Sequence, residues 1–361
     1  MNKISFIVGA RPNFVKLFPI YKKLQNEYEL SIIHTNQHFD YNMAMSFIET
    51  FNLRVINLIY DDNHNQEKRI DTMVNKIKNI LINISPKLVI VFGDVDSSLA
   101  GAIAAKELNI QIVHIESGNR CFDQTMPEER NRMQIDKLAT YHFISEPNGI
   151  KNLLNEKIIQ KPQENITYFY VGNPMIDTVL YFKDNAMSHN FYEKLGLEKN
   201  NYILITLHRQ INVDIDNNLR IIISSVEHLA KEYKIVFPLH PRTKKKILEL
   251  SLSLNNIVIL EPLNYINFLN LMIYASIVIT DGGGIQEETT FLNIPCITLR
   301  QSTERPITCT LGTNVLIERI DKHHIIELTQ KYIGRKKINI NIPLWDGKSS
   351  DRILQYIGQI I

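Results

Sequence analysis

The chain has 361 residues, with 40 basic and 38 acidic side chains and a formal net charge of +2. This length is too great for one compact core and predicts two domains. The balanced charge argues against a nucleic-acid or membrane surface as the main partner, because such surfaces gather basic side chains on one face. No apolar run is long enough to span a membrane, and the three cysteines lack the spacing of a metal site. We therefore expect a cytoplasmic protein.

Apolar runs alternate with amphipathic segments in the first half of the chain. Strands are predicted at residues 3–8, 30–34, 88–92, 110–115, 141–145 and 168–171. Helices are predicted at residues 14–26, 43–51, 67–83 and 97–108 and from Pro127, and a polar surface loop at residues 61–66. This alternation is typical of right-handed βαβ units and a parallel, doubly wound sheet.

The same alternation starts again after Gly172, Asn173 and Pro174, which interrupt the chain. Strands are predicted at residues 202–207, 235–238, 257–260, 276–280 and 296–299, and helices at residues 175–182, 217–233, 264–272, 322–333 and 350–361. We therefore predict an α/β fold of two Rossmann-like doubly wound domains facing a central cleft. The predicted domains are residues 1–172 and 173–345, followed by a C-terminal helix within residues 346–361.

Ionisable side chains follow four of the predicted strands in the first domain. Arg11, Asp94 and Glu116 follow apolar runs by three, two and one positions, and His34 is the last residue of another. In parallel sheets the carboxyl ends of the strands share one edge, where ligands bind, so we expect these side chains to converge. Taken singly, Asp94 is also explained as a helix cap and Arg11 as a surface charge. Four such residues together favour a site.

The helix beginning at Pro127 places Glu128, Arg132 and Asp136 at a spacing of four residues, and therefore on one face. This pattern suits a salt-bridged surface helix as well as a site. If Asp94, Glu116 and Glu128 lie together, their mutual repulsion would separate their pKa values and allow them to divide acid and base work.

Residues 276–288, SIVITDGGGIQEE, predict a strand, a glycine turn and the start of a helix. Glycines allow a ligand to approach the backbone, and the first N–H groups of a helix attract anions. Gly282, Gly283 and Gly284 would thus bind a pyrophosphate, while Glu288 would accept hydrogen bonds from a ribose. The plainer alternative is a tight turn followed by a solvated acidic face.

Three further side chains complete the predicted nucleotide site. His208 and His240 follow strands of the second domain, and Arg305 lies in a loop after its last predicted strand. Arg305 is suited to a charge-assisted contact with phosphate, and His208 to phosphate neutralisation or proton transfer.

The order of short motifs resembles that of the non-hydrolysing UDP-N-acetylglucosamine 2-epimerases. The motifs are GARP at residues 9–12 with Lys16, TNQH at 35–38, FGD at 92–94, HIESGNR at 114–120, PEERNR at 127–132, HR at 208–209, DGGGIQEE at 281–288 and TERP at 303–306. The resemblance implies a GT-B arrangement of two Rossmann-like domains, a C-terminal helix that returns to the first domain, and a homodimer. It implies no cofactor and no metal.

The resemblance also implies a reaction on a UDP-sugar substrate. In this family the proton at C2 is removed while UDP leaves from C1, and UDP then re-adds with protonation on the other face of C2. Matched by motif, Asp94, Glu116 and Glu128 are the acid and base candidates, and His208 lies near the phosphates. The remaining matches are nucleotide or sugar contacts at Arg11, Lys16, Arg132, Glu288 and Arg305, and a second, activating UDP-sugar near Gln37 and His38.

Several positions depart from the family pattern. Val95 replaces a threonine, Gly282 a serine and Asn13 a glutamate, and residues 118–124 look closer to relatives that act on modified sugars. The alternatives are therefore a C2-epimerase of a modified UDP-N-acetylhexosamine, of the L-talosamine or diacetamido-uronic type, a hydrolysing epimerase, and a GT-B glycosyltransferase. A noncatalytic sugar-nucleotide sensor is a further alternative, against which the intact carboxylates argue.

Overall fold

The computed structural model of the protein describes residues 1–36, 41–58, 66–160, 167–337 and 340–361. The chain divides into two compact units. Unit 1 comprises Met1–Thr178 and Pro343–Ile361, and unit 2 comprises Val179–Ile342. Each unit is a parallel sheet with interleaved helices, so the predicted α/β class with two Rossmann-like units is confirmed.

Unit 1 contains seven described strands. They are β1 (Lys3–Val8), β2 (Glu29–His34), β3 (Ile56–Asn57), β4 (Leu88–Phe92), β5 (Gln111–Ile115), β6 (Tyr141–Ile144) and β7 (Tyr168–Tyr170). The helices are α1 (Arg11–Leu24), α2 (Tyr41–Thr50), α3 (Gln66–Ile84), α4 (Asp96–Glu107), α5 (Pro127–Leu138) and α6 (Pro147–Asn155), with α7 (Pro174–Ser188) continuing into unit 2.

The sheet of unit 1 has the strand order β3-β2-β1-β4-β5-β6-β7, and every neighbouring pair is parallel. The order reverses between β1 and β4, which is the switch point where open α/β sheets bind ligands. Helices cover both faces of such a sheet, so its central strands are apolar throughout rather than alternating. All five residues of β4, LVIVF, are accordingly buried.

Unit 2 repeats this plan. Its strands are β8 (Tyr202–Thr206), β9 (Lys234–Pro238), β10 (Ile257–Leu260), β11 (Ile277–Thr280), β12 (Cys296–Thr298) and β13 (Asn314–Leu316). Its helices are α8 (Phe191–Lys194), α9 (Gln210–Val213), α10 (Asp216–Leu229), α11 (Pro241–Glu249), α12 (Tyr265–Ile273), α13 (Gly283–Leu292), α14 (Ile307–Thr310) and α15 (Lys322–Tyr332). The parallel order is β10-β9-β8-β11-β12-β13, with the switch point between β8 and β11.

The C-terminal helix α16 (Ser349–Ile360) packs against α1 of unit 1. Its buried face carries Ile353 and Ile357. Asp177 in α7 caps its start by accepting hydrogen bonds from the backbone N–H groups of Ser349 and Ser350, at 3.2 and 2.7 Å. Unit 1 is thus completed by the two ends of the described chain.

The observed elements differ from the predicted ones mainly at short segments. The structure adds α6, α8, α9, α14, β3 and β13, which the sequence pattern did not predict. Gln66 opens α3, although the pattern placed it in the polar loop, and residues 61–65 of that loop lie outside the described residues. Within the described ranges, no helix is both long and apolar enough to cross a membrane.

Candidate active site

Two carboxylates in unit 1 stand at the ends of neighbouring strands. The register pairs Phe92 of β4 with Ile115 of β5, so Asp94 and Glu116 follow the strands at the same edge of the sheet. Gly93, between β4 and Asp94, has a φ of +60°, a conformation that glycine adopts without strain. Asp94 and Glu116 therefore follow neighbouring strands at one edge of the sheet.

Each of these carboxylates has a cationic partner. Asp94 forms an ion pair with Arg132 of α5, and Glu116 forms one with Lys16 of α1. Glu116 also accepts a hydrogen bond of 3.2 Å from the side-chain amide of Asn119. The side chain of Glu116 is 6% exposed and that of Asp94 is 24% exposed. Because unpaired buried charge is costly, the two cations are what permit two carboxylates here.

The two adjacent glutamates at the start of α5 have different environments. Glu128 is half-buried in the first turn, whereas Glu129 is 1% exposed. Glu129 forms an ion pair with Arg132 and accepts hydrogen bonds from the backbone N–H groups of Cys121 and Phe122, at 3.1 and 2.9 Å. It thereby fixes the loop that follows Glu116. The sequence pattern indicated Glu128 but gave no reason to separate the two.

Asn13 explains one departure from the family pattern. Its carbonyl oxygen accepts hydrogen bonds from the N–H groups of Gly9 and Ala10, both at 3.1 Å. Its amide group donates to the carbonyl of Phe92 at 3.2 Å. A glutamate could accept the first two bonds but could not donate the third. Asn13 therefore connects the ends of β1 and β4 at the switch point.

The structure gives fewer polar contacts for the other predicted residues of unit 1. The Arg11 guanidinium lies 5.1 Å from the centre of the Phe47 ring. His34 is buried, with Nδ1 3.0 Å from the side-chain oxygen of Asn57, and burial lowers its pKa despite this hydrogen bond. His34 is thus accounted for by packing. Gln37 and His38 lie outside the described residues.

Asp281 organises the switch point of unit 2. Its side chain is fully buried and accepts hydrogen bonds from the backbone N–H groups of His208 and Arg209, at 3.1 and 2.9 Å, and from the Asn212 amide at 3.3 Å. His208 Nδ1 lies 3.0 Å from the same carboxylate. Burial alone would raise the pKa of Asp281, but His208 and the two N–H groups hold it well below its ordinary value. Asp281 thus fixes the position of His208, which is 43% exposed.

The glycine turn leads into α13 as predicted, with Gly282 as the residue before its first turn. The Gly282 N–H already donates to the Thr280 hydroxyl at 2.9 Å. Gly283 and Gly284 belong to the first helical turn, where the backbone N–H groups have no acceptors within the helix. Of the three predicted donors, these two therefore fit an anion best.

Arg305 is held by two carboxylates beside this turn. Its guanidinium pairs with Glu304, and its Nε lies 3.0 Å from Glu287 Oε1. Glu304 also pairs with Arg300 at 2.8 Å and lies 3.7 Å from Arg209. A Cβ on Gly283 would come within 2.6 Å of Arg305 Nη1, so any larger residue there would displace the guanidinium. The sequence predicted Arg305 but not the carboxylates that orient it.

The predicted ribose ligand Glu288 is 5% exposed and accepts a hydrogen bond of 2.9 Å from the Tyr265 hydroxyl. Tyr265 lies 23 positions earlier in the chain, on α12, and the pattern did not link the two. His240 precedes α11, where its Nδ1 accepts a hydrogen bond of 3.2 Å from the Arg242 N–H. Its ring centre is 5.9 Å from that of His208. Across the described ranges, no group of three or more His, Cys, Asp or Glu side chains is arranged to hold a metal ion.

Comparisons with known proteins agree over almost the whole chain. A family model described as UDP-N-acetylglucosamine 2-epimerase matches residues 22–358. The chain is 37% identical over 370 residues to the UDP-N-acetylglucosamine 2-epimerase of Methanocaldococcus jannaschii, with 98% of each protein covered. It is 34% identical over 365 residues to the UDP-2,3-diacetamido-2,3-dideoxy-D-glucuronate 2-epimerase of Pseudomonas aeruginosa, with 99% of this chain and 100% of the relative covered.

Solved structures give the same result. The crystal structure of the Methanocaldococcus jannaschii UDP-GlcNAc 2-epimerase in complex with UDP-GlcNAc and UDP has a TM-score of 0.89 to this chain, with 36% identity and 99% of each chain covered. The Neisseria meningitidis UDP-GlcNAc 2-epimerase bound to UDP-GlcNAc has a TM-score of 0.88 at 27% identity, covering 99% of this chain and 100% of that chain. A glycosyltransferase from Rickettsia africae, at 13% identity and a TM-score of 0.55, shares only the fold.

Proposed function

The chain belongs to the UDP-N-acetylglucosamine 2-epimerase family, and we propose that it inverts C2 of a UDP-N-acetylhexosamine without net hydrolysis, converting UDP-GlcNAc to UDP-ManNAc. The observation that carries this proposal is the pair Asp94 and Glu116, two carboxylates at neighbouring strand ends, each with its own cation. Inversion at a carbon that bears a proton needs groups that remove and return that proton on opposite faces.

The proposed reaction has two steps, elimination of UDP and its re-addition. A carboxylate removes the C2 proton, the electrons of the C–H bond form a double bond between C1 and C2, and the C1–O bond breaks with its electron pair leaving on UDP. The resulting 2-acetamidoglucal then adds UDP at C1 and receives a proton on the opposite face of C2. Asp94, Glu116 and Glu128 are the proposed acid and base groups. Lys16 and Arg132 offset their charge and contact the substrate.

The departing UDP needs stabilisation, because negative charge builds up on its terminal phosphate as the C1–O bond breaks. In unit 2 we assign this to the first turn of α13, through Gly283 and Gly284, and to His208, whose ring is presented by Asp281. Arg305 and His240 add positive or polar groups, Gly282 permits close approach, and Glu288 accepts hydrogen bonds from the ribose. Arg11 is proposed as a further substrate contact.

The test is incubation of the protein with UDP-GlcNAc in D2O. We expect deuterium at C2 of the sugar, a mixture of the two C2 epimers, and no stoichiometric free UDP. Asp94→Asn and Glu116→Gln should abolish exchange while retaining UDP binding, because both residues lie in unit 1 and the phosphate groups are assigned to unit 2. Stoichiometric UDP release would indicate a hydrolysing enzyme, and transfer to an acceptor with C2 unlabelled would indicate a glycosyltransferase.

A second candidate substrate is a modified UDP-N-acetylhexosamine. Two observations favour it: the resemblance of residues 118–124 to relatives with such substrates, and the 34% identity to the diacetamido-glucuronate 2-epimerase. The same loop carries Phe122, whose side chain is 74% exposed. Parallel assays with UDP-GlcNAc, a UDP-N-acetyl-L-talosamine and a UDP-diacetamido-uronic acid decide between the candidates, since the natural substrate should have the highest kcat/KM.

We further propose a cytoplasmic homodimer that supplies surface polysaccharide precursors such as those of capsule or O-antigen. The three free cysteines support a reducing compartment. Light scattering after size-exclusion chromatography tests the dimer. We also propose that a second UDP-sugar activates the enzyme near Gln37 and His38. If so, turnover of UDP-ManNAc alone should be slow until UDP-GlcNAc is added.

A further inference from the structure

Asp136, on α5, has no solvent exposure of its side chain. It is the acceptor for four separate groups. These are His114 Nδ1 at 2.6 Å, the Ser117 hydroxyl at 2.5 Å, the Gly118 N–H at 3.2 Å and Arg120 Nη1 at 2.7 Å. Burial alone would raise the pKa of Asp136, but His114, Arg120 and His142 hold it well below its ordinary value. The carboxylate is therefore ionised and acts as an acceptor only.

All four donors come from residues within four positions of Glu116 in the sequence. Glu116 has a φ of +73°, in the left-handed region that side chains other than glycine rarely adopt. Such a conformation persists only when the surrounding structure enforces it. His114 precedes Glu116 by two positions, while Ser117 and Gly118 follow it, so Asp136 is bonded to residues on both sides of this strained residue, through the side chains of His114 and Ser117 and the backbone N–H of Gly118.

His114 extends the same network to the other carboxylate. Its Nε2 lies 2.8 Å from the carbonyl oxygen of Gly93, a group that can only accept a hydrogen bond. Gly93 is the residue before Asp94. One imidazole thus connects the end of β4 to Asp136, and through Asp136 to the turn that carries Glu116.

We propose that Asp136 is a positioning residue for proton transfer at C2: its bonds to Ser117 and Gly118 fix the turn that carries Glu116, and its bond to His114 fixes the end of β4 before Asp94. The inference rests on the proposed function, because it assumes that Glu116 and Asp94 act on the substrate. Asp136 itself touches neither substrate nor reacting atoms. Its removal should therefore lower kcat more than it weakens substrate binding, since misplacement of a reacting group by about 1 Å can cost on the order of 100-fold in rate.

Asp177 provides a matched control in the same unit. It is also a buried carboxylate that accepts several hydrogen bonds, from the N–H groups of Ser349 and Ser350 and from the Ser350 hydroxyl. These bonds connect α7 to α16 and do not involve the ends of β4 or β5. Asp177→Asn should destabilise unit 1 without misplacing Glu116.

The experiment compares Asp136→Asn, Asp177→Asn and Ser117→Ala with the wild-type protein, measuring deuterium exchange at C2, KM for the UDP-sugar and the unfolding midpoint. For Asp136→Asn we expect kcat to fall about 10- to 100-fold with KM within about two-fold. Asp177→Asn should lower the unfolding midpoint but keep kcat within about two-fold of wild type. Ser117→Ala removes one donor and should lower kcat by a smaller factor. A wild-type kcat in Asp136→Asn, or an equal loss in Asp177→Asn, overturns the proposal.

Two further measurements apply where Asp136→Asn does not fold or where the wild-type protein shows no exchange. If Asp136→Asn does not fold, Ser117→Ala decides, and full kcat in that variant overturns the proposal. If the wild-type protein exchanges no deuterium, the proposed function has failed, and crystal structures of the wild-type protein and the foldable variant then test the positioning alone. We expect Glu116 to leave its left-handed conformation or its carboxylate to move. An unchanged Glu116 and Asp94 would refute positioning by Asp136.

Discussion

The neighbouring glutamates at the start of α5 offer a test at the scale of single residues. Glu128→Gln should abolish C2 exchange and leave the unfolding midpoint unchanged, because Glu128 is half-buried and is proposed to act on substrate. Glu129→Gln should destabilise the protein by about 1–3 kcal/mol, since it weakens the acceptor of Arg132 and of two backbone N–H groups. Exchange assays and thermal unfolding of both variants check this. The reverse pattern would show that the roles of the two residues are exchanged.

The buried carboxylate of Asp281 should make the stability of the folded protein depend on pH. Because its folded-state pKa lies below the ordinary value of about 3.9, the ionised carboxylate stabilises the fold above that pH, and this stabilisation is lost as the pH falls toward the folded-state pKa. Asp281→Asn places an amide opposite the N–H groups of His208 and Arg209, and should cost roughly 2 kcal/mol at neutral pH. The gap between the unfolding midpoints of wild type and variant should narrow from about pH 5 to about pH 3. A gap independent of pH would contradict the ionised state of Asp281.

At the scale of elements, two adjacent glycines at the start of α13 should respond differently to substitution. Gly282→Ser should be tolerated, because the new Cβ at 3.2 Å from His208 Cε1 and 3.3 Å from Thr280 Oγ1 requires these side chains to shift by only a few tenths of an ångström, and serine is a good residue to precede a helix. Its hydroxyl restores a phosphate donor, so we expect UDP to bind about three- to ten-fold more tightly. Gly283→Ala instead brings its Cβ within 2.6 Å of the Arg305 guanidinium and should weaken UDP binding by more than about ten-fold. Calorimetric titration of both variants with UDP checks these outcomes, and equal affinities would contradict the assignment of this turn.

The elements also show what the sequence could predict. The run Leu88–Phe92 and the pattern of α3 are local signals, so their strands and helices follow from apolar periodicity. The strand order is not local, because it depends on which crossover packs where, and no repeat in the sequence encodes that β1 lies beside β4. Short elements such as β13, with three residues, carry too few positions for a period.

The site was predictable to the same extent. Polar residues at strand ends indicated Asp94 and Glu116, since topology alone brings strand ends together. The ion pair between Glu116 and Lys16 of α1 was not predictable from spacing. Asp136, Asp281 and Tyr265 are polar residues whose importance comes from burial. Burial of a polar side chain is a property of the packed fold, which composition and periodicity do not reveal.

At the scale of the whole molecule, the last helix packs against the first helix of the chain. Unit 1 is completed by residues 343–361, whose helix α16 packs on α1, and the Tyr356 ring lies 4.4 Å from that of Phe169. Burial of Ile353 and Ile357 in this helix contributes roughly 1.5–3 kcal/mol each. Unit 2, residues 179–342, contains its own sheet and core. Removal of the last segment should therefore damage unit 1 and spare unit 2.

The labelling rates of two buried cysteines can be used to follow the unfolding of each unit separately. Cys121 is buried in unit 1 and Cys296 in unit 2, and burial raises the pKa of both thiols, that of Cys296 to about 12, so neither should react in the intact chain. In a chain ending at Ile342 we expect maleimide to label Cys121 at least about ten-fold faster than in the full chain, because its burial depends on a folded unit 1. Cys296 should stay protected, and the half-exposed Cys309 should react equally in both chains and serve as the reference. Mass spectrometry of the labelled peptides gives the three rates. Equal acceleration at Cys121 and Cys296 would mean that the two units unfold together, and no acceleration at Cys121 would mean that α16 is dispensable for unit 1.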